Sequence, residues 1–420
     1  MTDSIAGIER FDSLEKGRGL RVTRPFKVGE LLFSCPAFSY VLSVRERGFY
    51  CEFCFTRKEN LARCGKCKKA FYCNAKCQKG DWSNHKLECS AMNAFGDHWC
   101  PSDLTRLVAR ILNKKISDKN PMSFNLPYTD VEDEDNEKRE MTEVDIAALY
   151  RFYGKHLEMP EHKDLLTIFS QVSCNGFTIE DDELSHMGTA VYPDMALINH
   201  SCLPSVIVTY KGSTAEVRAV QDMKPGEELL ITYIDLLYPT DDRNIRLRES
   251  YYFCCDCQEC KYKSMDKAKL KVQKRSDPIE PDIINNMLRY AKKTIREFRA
   301  FKSLLEMCEH SLEHMGGVFA DTNVYMLHMM YQAMGVCLCL TDPYGAVRYG
   351  EKIIKLYSQL YPPYSLNVSS LYLKLGRLYM TLDRKTAALS IFKKAMAIME
   401  VTHGKDHLYL TKLRKELTQR

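Results

Sequence analysis

Between residues 51 and 89, eight potential metal ligands fall into four short pairs: Cys51 with Cys54, Cys64 with Cys67, Cys73 with Cys77, and His85 with Cys89. Each separation lets two side chains reach one ion from a turn or from one face of a helix. Eight such ligands suit two closed tetrahedral zinc sites. A segment this short cannot bury an adequate core, so metal must supply folding energy. Closed sites leave no open coordination position, which makes them structural. The segment also carries nine Lys/Arg against four Asp/Glu, a surplus of five that equals the formal net charge of the whole chain. The rest is therefore near neutral, and an anionic partner would be drawn to this one segment.

The remainder of the 420 residues is long enough for two or three domains with their own cores. No apolar run is long enough to span a membrane, so no membrane association is expected. Met1 to Arg10 is charged and lacks an apolar stretch, unlike a secretory signal. The eighteen cysteines are accordingly expected as metal ligands and free thiols.

Residues 1–46 read as strands and turns. Lys16-Gly17-Arg18-Gly19-Leu20 is a glycine-bracketed basic turn in which backbone amides can approach a ligand and a cation can meet a carboxylate. The simpler reading is a hairpin turn with solvated charges. Leu104, Leu107, Val108, Ile111 and Leu112 share one helical face, and a second helix is expected from about Glu143 to His156. Between them, Asp130 to Asp135 form an acidic run that reads as a solvated loop. Strand signals return over residues 165–240, including Phe177, Ser205 to Tyr210, Ala215 to Val220, and Glu228 to Tyr233. Beyond residue 270 they vanish. Ile284, Leu288, Ala291, Ile295, Phe298, Leu305 and Leu312 repeat at helical spacing. Two later stretches match at an offset of 41 residues (Gly335, Gly376) or 42 (Ala346, Ala388), which predicts stacked helical hairpins of tetratricopeptide type.

A third zinc set is expected from Cys255, Cys257 and Cys260 with Cys202 as fourth ligand. It would tie the C-terminal flank to Asn199-His200-Ser201-Cys202 and fix Tyr251, Tyr252 and Phe253 near the strand carrying Tyr233.

Together, Asn199-His200-Ser201-Cys202, the Gly226-Glu227-Glu228-Leu229 turn followed by Tyr233, and the Cys255–Cys260 tail resemble the SET and post-SET elements of protein lysine methyltransferases. The 51–89 pattern, with Trp82 before its histidine, resembles the MYND zinc finger. A SET domain split by a MYND finger and followed by helices resembles the SMYD family, over nearly the whole chain. The runs Cys54 to Lys58, Cys174 to Glu180 and Tyr233 to Pro239 match one member of that family best.

The resemblance implies an α+β multidomain fold. It comprises a β-rich SET core (1–46 and 181–240), a MYND finger (47–93), an inserted helical region (94–180), a post-SET zinc region (241–270) and an all-α tetratricopeptide-like domain (271–420). It implies S-adenosylmethionine as methyl donor, three zinc ions, and lysines of histone and non-histone proteins as acceptors, with an effect on transcription. Lys16, Gly17 and Arg18 would face the cofactor's methionine end. Asn199 and His200 would hold the adenosyl part, and Tyr251, Tyr252 and Phe253 would complete the wall. A further family contact falls near Asp130. Phe177, Tyr233 and Tyr251 would line the lysine channel, with the Tyr233 hydroxyl orienting the amine. The small channel favours monomethylation.

A monomer in cytoplasm and nucleus is expected, with peptide partners for the finger and the helical domain. The alternative is an adaptor whose SET core is inert; it predicts a damaged channel, yet Tyr233 and the Asn199-His200 pair are present. A DNA-binding finger would need a base-reading helix, which is not evident, so nucleic acid is not expected as the primary partner.

Overall fold

The computed structural model describes residues 5–13, 16–117, 136–297 and 304–418. Asp130, the acidic run and Phe298 lie outside the described residues. The chain divides into two compact units, Met1–Asn199 with Val206–Leu229, and His200–Ser205 with Leu230–Arg420.

The first unit begins with the hairpin β1 (Ile8–Ser13) and β2 (Gly17–Val22), in antiparallel register from Ile8 opposite Val22 to Ser13 opposite Gly17. Next come β3 (Leu31–Pro36) and β4 (Ser39–Leu42); all four residues of β4 are buried. The finger follows. It has a two-residue ladder, β5 (Ala62–Arg63) and β6 (Phe71–Tyr72), and the long helix α1 (Ala75–Phe95). Asn74 caps α1 by accepting the Cys77 N–H, and the helix ends at Gly96, whose φ is +55°. Three helices complete the inserted region: α2 (Asp103–Ser117), α3 (Asn136–Tyr153) and α4 (His162–Asn175).

The expected apolar face of α2 is there: Leu107, Val108, Ile111 and Leu112 are buried. The α3 helix starts earlier than its apolar pattern suggested, because its first turns are polar and exposed. The strands β7 (Gly176–Glu180) and β8 (His186–Val191) join β4 in the order β4-β8-β7. Cys174 and Asn175 belong to the end of α4 rather than to the strand. A short 3-10 turn, Met195–Leu197, leads into β9 (Asn199–His200). The strands β10 (Val206–Lys211) and β11 (Thr214–Ala219) complete a sheet of order β10-β11-β3. One apolar cluster runs from the finger through α2, α3 and α4 to Val191.

In the second unit β12 is only Leu230–Ile231, shorter than the expected Glu228–Tyr233 strand. The Ser201 N–H donates to the Ile231 carbonyl and the Ser205 N–H to that of Leu230, so the Cys202 loop is pinned to β12 at both ends. The helix α5 (Thr240–Tyr251) ends at Tyr252, whose φ is +62°. Two short helices, α6 (Gln258–Tyr262) and α7 (Asp266–Lys269), precede α8 (Pro281–Glu297) and α9 (Leu304–Gly316).

The repeats then appear as α10 (Val324–Cys339) with α11 (Pro343–Leu360), and α12 (Leu366–Thr381) with α13 (Lys385–Thr402), before α14 (Leu408–Thr418). Val324 to Leu366 and Pro343 to Lys385 are each 42 residues, which agrees with the offset in the sequence. Ala346 and Ala388 are both fully buried at matching places. The glycines are not equivalent. A Cβ at Gly376 would lie 2.5 Å from Phe392, whereas one at Gly335 would meet nothing.

Candidate active site and metal centres

The four ligand pairs of the finger interleave. Cys51 and Cys54 meet Cys73 and Cys77; Cys64 and Cys67 meet His85 and Cys89. A zinc–sulfur bond of about 2.3 Å sets tetrahedron edges of about 3.8 Å. The observed edges agree: 3.6 Å for Cys54–Cys73, 3.9 Å for Cys54–Cys77, 3.9 Å for Cys64–Cys89, and 3.5 Å from Cys67 Sγ to His85 Nε2. The helix α1 supplies Cys77 to one set and, on one face, His85 and Cys89 to the other. The Trp82 ring stands edge-on to His85 at 6.1 Å and is exposed on its other side.

A third set unites Cys202 with Cys255, Cys257 and Cys260; the Cys202–Cys260 edge is 3.6 Å. Its charge environment fits a metal. Arg243 is fully buried and makes no carboxylate ion pair among the described residues. Its Nε–H donates to Cys202 Sγ at 3.2 Å, and its Nη2 lies 3.7 Å from Cys260 Sγ. Four thiolates on Zn²⁺ leave two negative charges, which a buried guanidinium partly offsets. All three donor sets suit zinc, and none of the eighteen cysteines forms a disulfide.

Beside this third set stands Tyr233 in a ring cluster. Its centroid is 4.9 Å from Tyr251, 5.2 Å from His200 and 6.3 Å from Phe253, the last edge-on. The Tyr233 backbone N–H donates to His200 Nδ1 at 3.0 Å. That bond makes Nδ1 the acceptor, so Nε2 carries the hydrogen and points it at Cys202 Sγ, 3.5 Å away. His200 thus links a zinc ligand to the backbone of Tyr233. Both ring nitrogens are used, so any contact with an adenosyl group would come from its ring face or backbone. This brace was not legible in the sequence; the signal was only that His200 precedes Cys202 by two residues.

The first unit holds the other expected residues. Gly17 has φ +69°, and a Cβ there would meet nothing within 4 Å, so there is open space over the turn. At Gly19, by contrast, a Cβ would press on Phe11 and lie 3.1 Å from Asn199 Nδ2; that glycine serves packing rather than ligand approach. Asn199 Nδ2 donates to the Arg18 carbonyl at 3.2 Å and to Glu228 at 2.8 Å. Two acceptors fix its amide orientation, with Nδ2 as the donor side. Lys16 Nζ is 3.7 Å from the other oxygen of Glu228. Glu228 therefore organises Lys16 and Asn199 together, a role the sequence reading did not assign; its place in the Gly226–Leu229 turn was the available signal. Phe177 sits on β7, edge-on to the buried Tyr192 at 5.8 Å.

Fold and donor sets define a zinc-finger protein whose β-rich core is interrupted by a cross-braced finger and followed by helical repeats. Residues 51–89 match the MYND finger family. The chain is 60% identical to N-lysine methyltransferase SMYD2-B of Danio rerio over 99% of its length and 98% of that protein. It is 58% identical to N-lysine methyltransferase SMYD2 of Homo sapiens, over 99% of each, and 59% identical to SMYD2 of Bos taurus, over 98% of each. The chain belongs to the SMYD family of N-lysine methyltransferases, in its SMYD2 branch.

The brace makes a specific expectation. His200→Leu should lower kcat about 10²-fold, because a shift of about 1 Å in a positioned group costs that much. Zinc content should stay at three per chain. His200→Asn, whose Oδ1 can take the place of Nδ1, should recover part of the rate. Steady-state kinetics with elemental analysis decides; an unchanged kcat in His200→Leu refutes the brace.

Proposed function

We propose that this chain transfers a methyl group from S-adenosylmethionine to lysine side chains of histone and non-histone proteins, and so acts on transcription. The ring cluster around Tyr233, tied through His200 to Cys202, carries this reading. When bound, S-adenosylmethionine supplies an electrophilic sulfonium methyl. The open turn at Gly17, with Lys16 and Arg18, is assigned to the donor's methionine end. Asn199, His200, Tyr251, Tyr252 and Phe253 are assigned to its adenosyl side.

Phe177, Tyr233 and Tyr251 are assigned to the lysine channel. Aromatic walls favour loss of the amine proton by excluding water, and their faces accommodate the methylammonium product. The Tyr233 hydroxyl orients the amine lone pair for in-line attack and need not remove a proton. The domain limits inferred from sequence are retained as a proposal. So are residence in cytoplasm and nucleus, a monomeric state, and peptide binding by the finger and the helical domain. Among the described residues no helix is long and apolar enough to cross a membrane.

The test is mass spectrometry of a substrate-protein panel incubated with labelled S-adenosylmethionine and either the parent chain or Tyr233→Phe. A lysine mark, mainly monomethyl, should fall about 10²-fold in the variant while melting temperature holds. No transfer by the parent, with no donor binding in calorimetry, would leave the adaptor reading in its place. Mainly trimethyl product would refute the small channel.

A further inference from the structure

From Thr232 to Pro239, between β12 and α5, the chain has no helix or strand, yet this segment carries Tyr233. Side chains hold its backbone instead. The buried Lys269 donates from Nζ to the Leu236 carbonyl at 2.8 Å and to that of Tyr238 at 3.2 Å. Arg243 Nη1 donates to the Tyr238 carbonyl at 2.7 Å. The Leu237 N–H donates to Asp235 Oδ1 at 2.9 Å, a turn closed by the aspartate's own side chain.

Asp235 has a second partner that this turn does not need. The Tyr361 hydroxyl, just past the end of α11, donates to the same oxygen at 2.7 Å across 126 residues of sequence. Tyr361 is buried. Burial and the Asp235 charge push its phenol well above the usual range, so the hydroxyl keeps its proton and stays a donor. Farther along, the Tyr238 ring stacks on His328 of α10 at 4.2 Å, 24° from parallel. The helix α5 is then fixed at Asp242, which accepts the Tyr325 hydroxyl of α10 at 2.7 Å and Lys292 of α8 at 2.5 Å. That helix ends at Tyr251, whose ring is 4.9 Å from Tyr233. Tyr233 and Tyr251 thus belong to one stretch that rests on the helical domain at three places.

We infer that Tyr361 is a positioning residue for methyl transfer: its bond to Asp235 fixes the segment that follows Tyr233. The inference rests on the lysine channel proposed above. His200 holds the Tyr233 amide, and the direction in which the chain leaves Tyr233 is set at Asp235. Two residues span at most about 7 Å, so slack at Asp235 reaches the Tyr233 ring. A bond of purely structural value would support folding and leave turnover alone. The repeats contain one for comparison: the Tyr379 hydroxyl of α12 donates to Glu351 of α11, also at 2.7 Å.

The experiment uses the full chain, labelled S-adenosylmethionine and the lysine substrate that the protein panel identifies. Tyr361→Phe keeps the ring and removes the donor. Its kcat should fall about tenfold, less than for a group displaced by a full 1 Å or so. KM for both substrates should stay within about twofold, and three zinc ions should remain. Tyr379→Phe should lower the melting temperature by a similar amount and leave kcat at the parent value. Asp235→Ala should lose at least as much kcat as Tyr361→Phe. Combining the two should cost no more than Asp235→Ala alone, because both remove one bond. Asp235→Asn, whose Oδ1 still accepts from Leu237 and Tyr361, should lose less than Asp235→Ala. Backbone hydrogen exchange over residues 233–238, measured without methyl donor, should quicken about tenfold in Tyr361→Phe and not in Tyr379→Phe. Transfer by the parent chain with equal kcat in Tyr361→Phe overturns this inference alone. So does an equal kcat loss in Tyr379→Phe, or additive losses in the double variant. No transfer by the parent chain overturns the methyl-transfer reading, and this role with it.

Discussion

Cys202→Ser is expected to release one of three zinc ions and to abolish methyl transfer, with a loss of at least about 10³ in kcat/KM. The serine hydroxyl is a poor zinc ligand, and only the deprotonated thiolate completes the tetrahedral set. Metal binding at structural sites is worth on the order of 10 kcal/mol, so losing one ligand forfeits a large share of what holds the closing loop. Two more groups depend on that sulfur. His200 Nε2–H is aimed at Cys202, and Arg243 donates to it from a fully buried position. Without it the His200 brace on Tyr233 loses its anchor, and the guanidinium loses its counter-charge. Tyr233 and Phe253 would then lose their fixed spacing of 6.3 Å. Elemental analysis and single-turnover kinetics test this together. Full activity with two zinc ions per chain would refute it. Acid should act in the same direction, since protonation of thiolates competes with metal.

The largest stability effect is expected at Glu88. It is fully buried on α1 between Arg106 and Arg110 of α2, which are themselves buried. Arg106 Nε–H donates to one oxygen at 2.8 Å, and Arg110 Nη2 donates to the other. The two arginines also bind the Leu42 and Tyr40 carbonyls of β4, at 2.6 and 2.8 Å. One carboxylate thus joins finger, helix and sheet edge. Glu88→Ala leaves two buried guanidiniums without their main counter-charge, which costs about 3–5 kcal/mol. A fall in melting temperature on the order of 10 °C follows for a domain of this size.

Burial alone would raise the Glu88 carboxyl, but Arg106 and Arg110 outweigh it and hold the group well below the usual carboxylate range. A depressed folded-state value means this stability is present above the unfolded carboxyl value of 4.5 and is lost as pH falls below it. Parent and Glu88→Ala unfolding curves should therefore converge on acidification. A variant as stable as the parent at neutral pH would show that the cluster merely breaks even.

Much of this was legible from local spacing. Ligands separated by one to three residues report a turn or one helical face, so eleven of the twelve candidate zinc ligands can be named from local spacing; Cys202, more than fifty residues before Cys255, could only be offered as the fourth ligand of its set, and the fold brings it there. The 42-residue offset survives as the spacing of helix starts because each hairpin is stabilised by contacts within its own repeat. Which pair shares an ion with which could not be read, since interleaving is decided by where β6 and α1 place Cys73, Cys77, His85 and Cys89. Nothing in the local pattern marked Arg106 and Arg110 as buried; burial is tolerable only because Glu88 and two strand carbonyls meet them. Asn199, His200, Glu228 and Tyr233 were visible as residues, but their bonds were not. A chain lists its donors and acceptors, and only the fold decides which amide Nδ1 of His200 receives and which sulfur Nε2 faces.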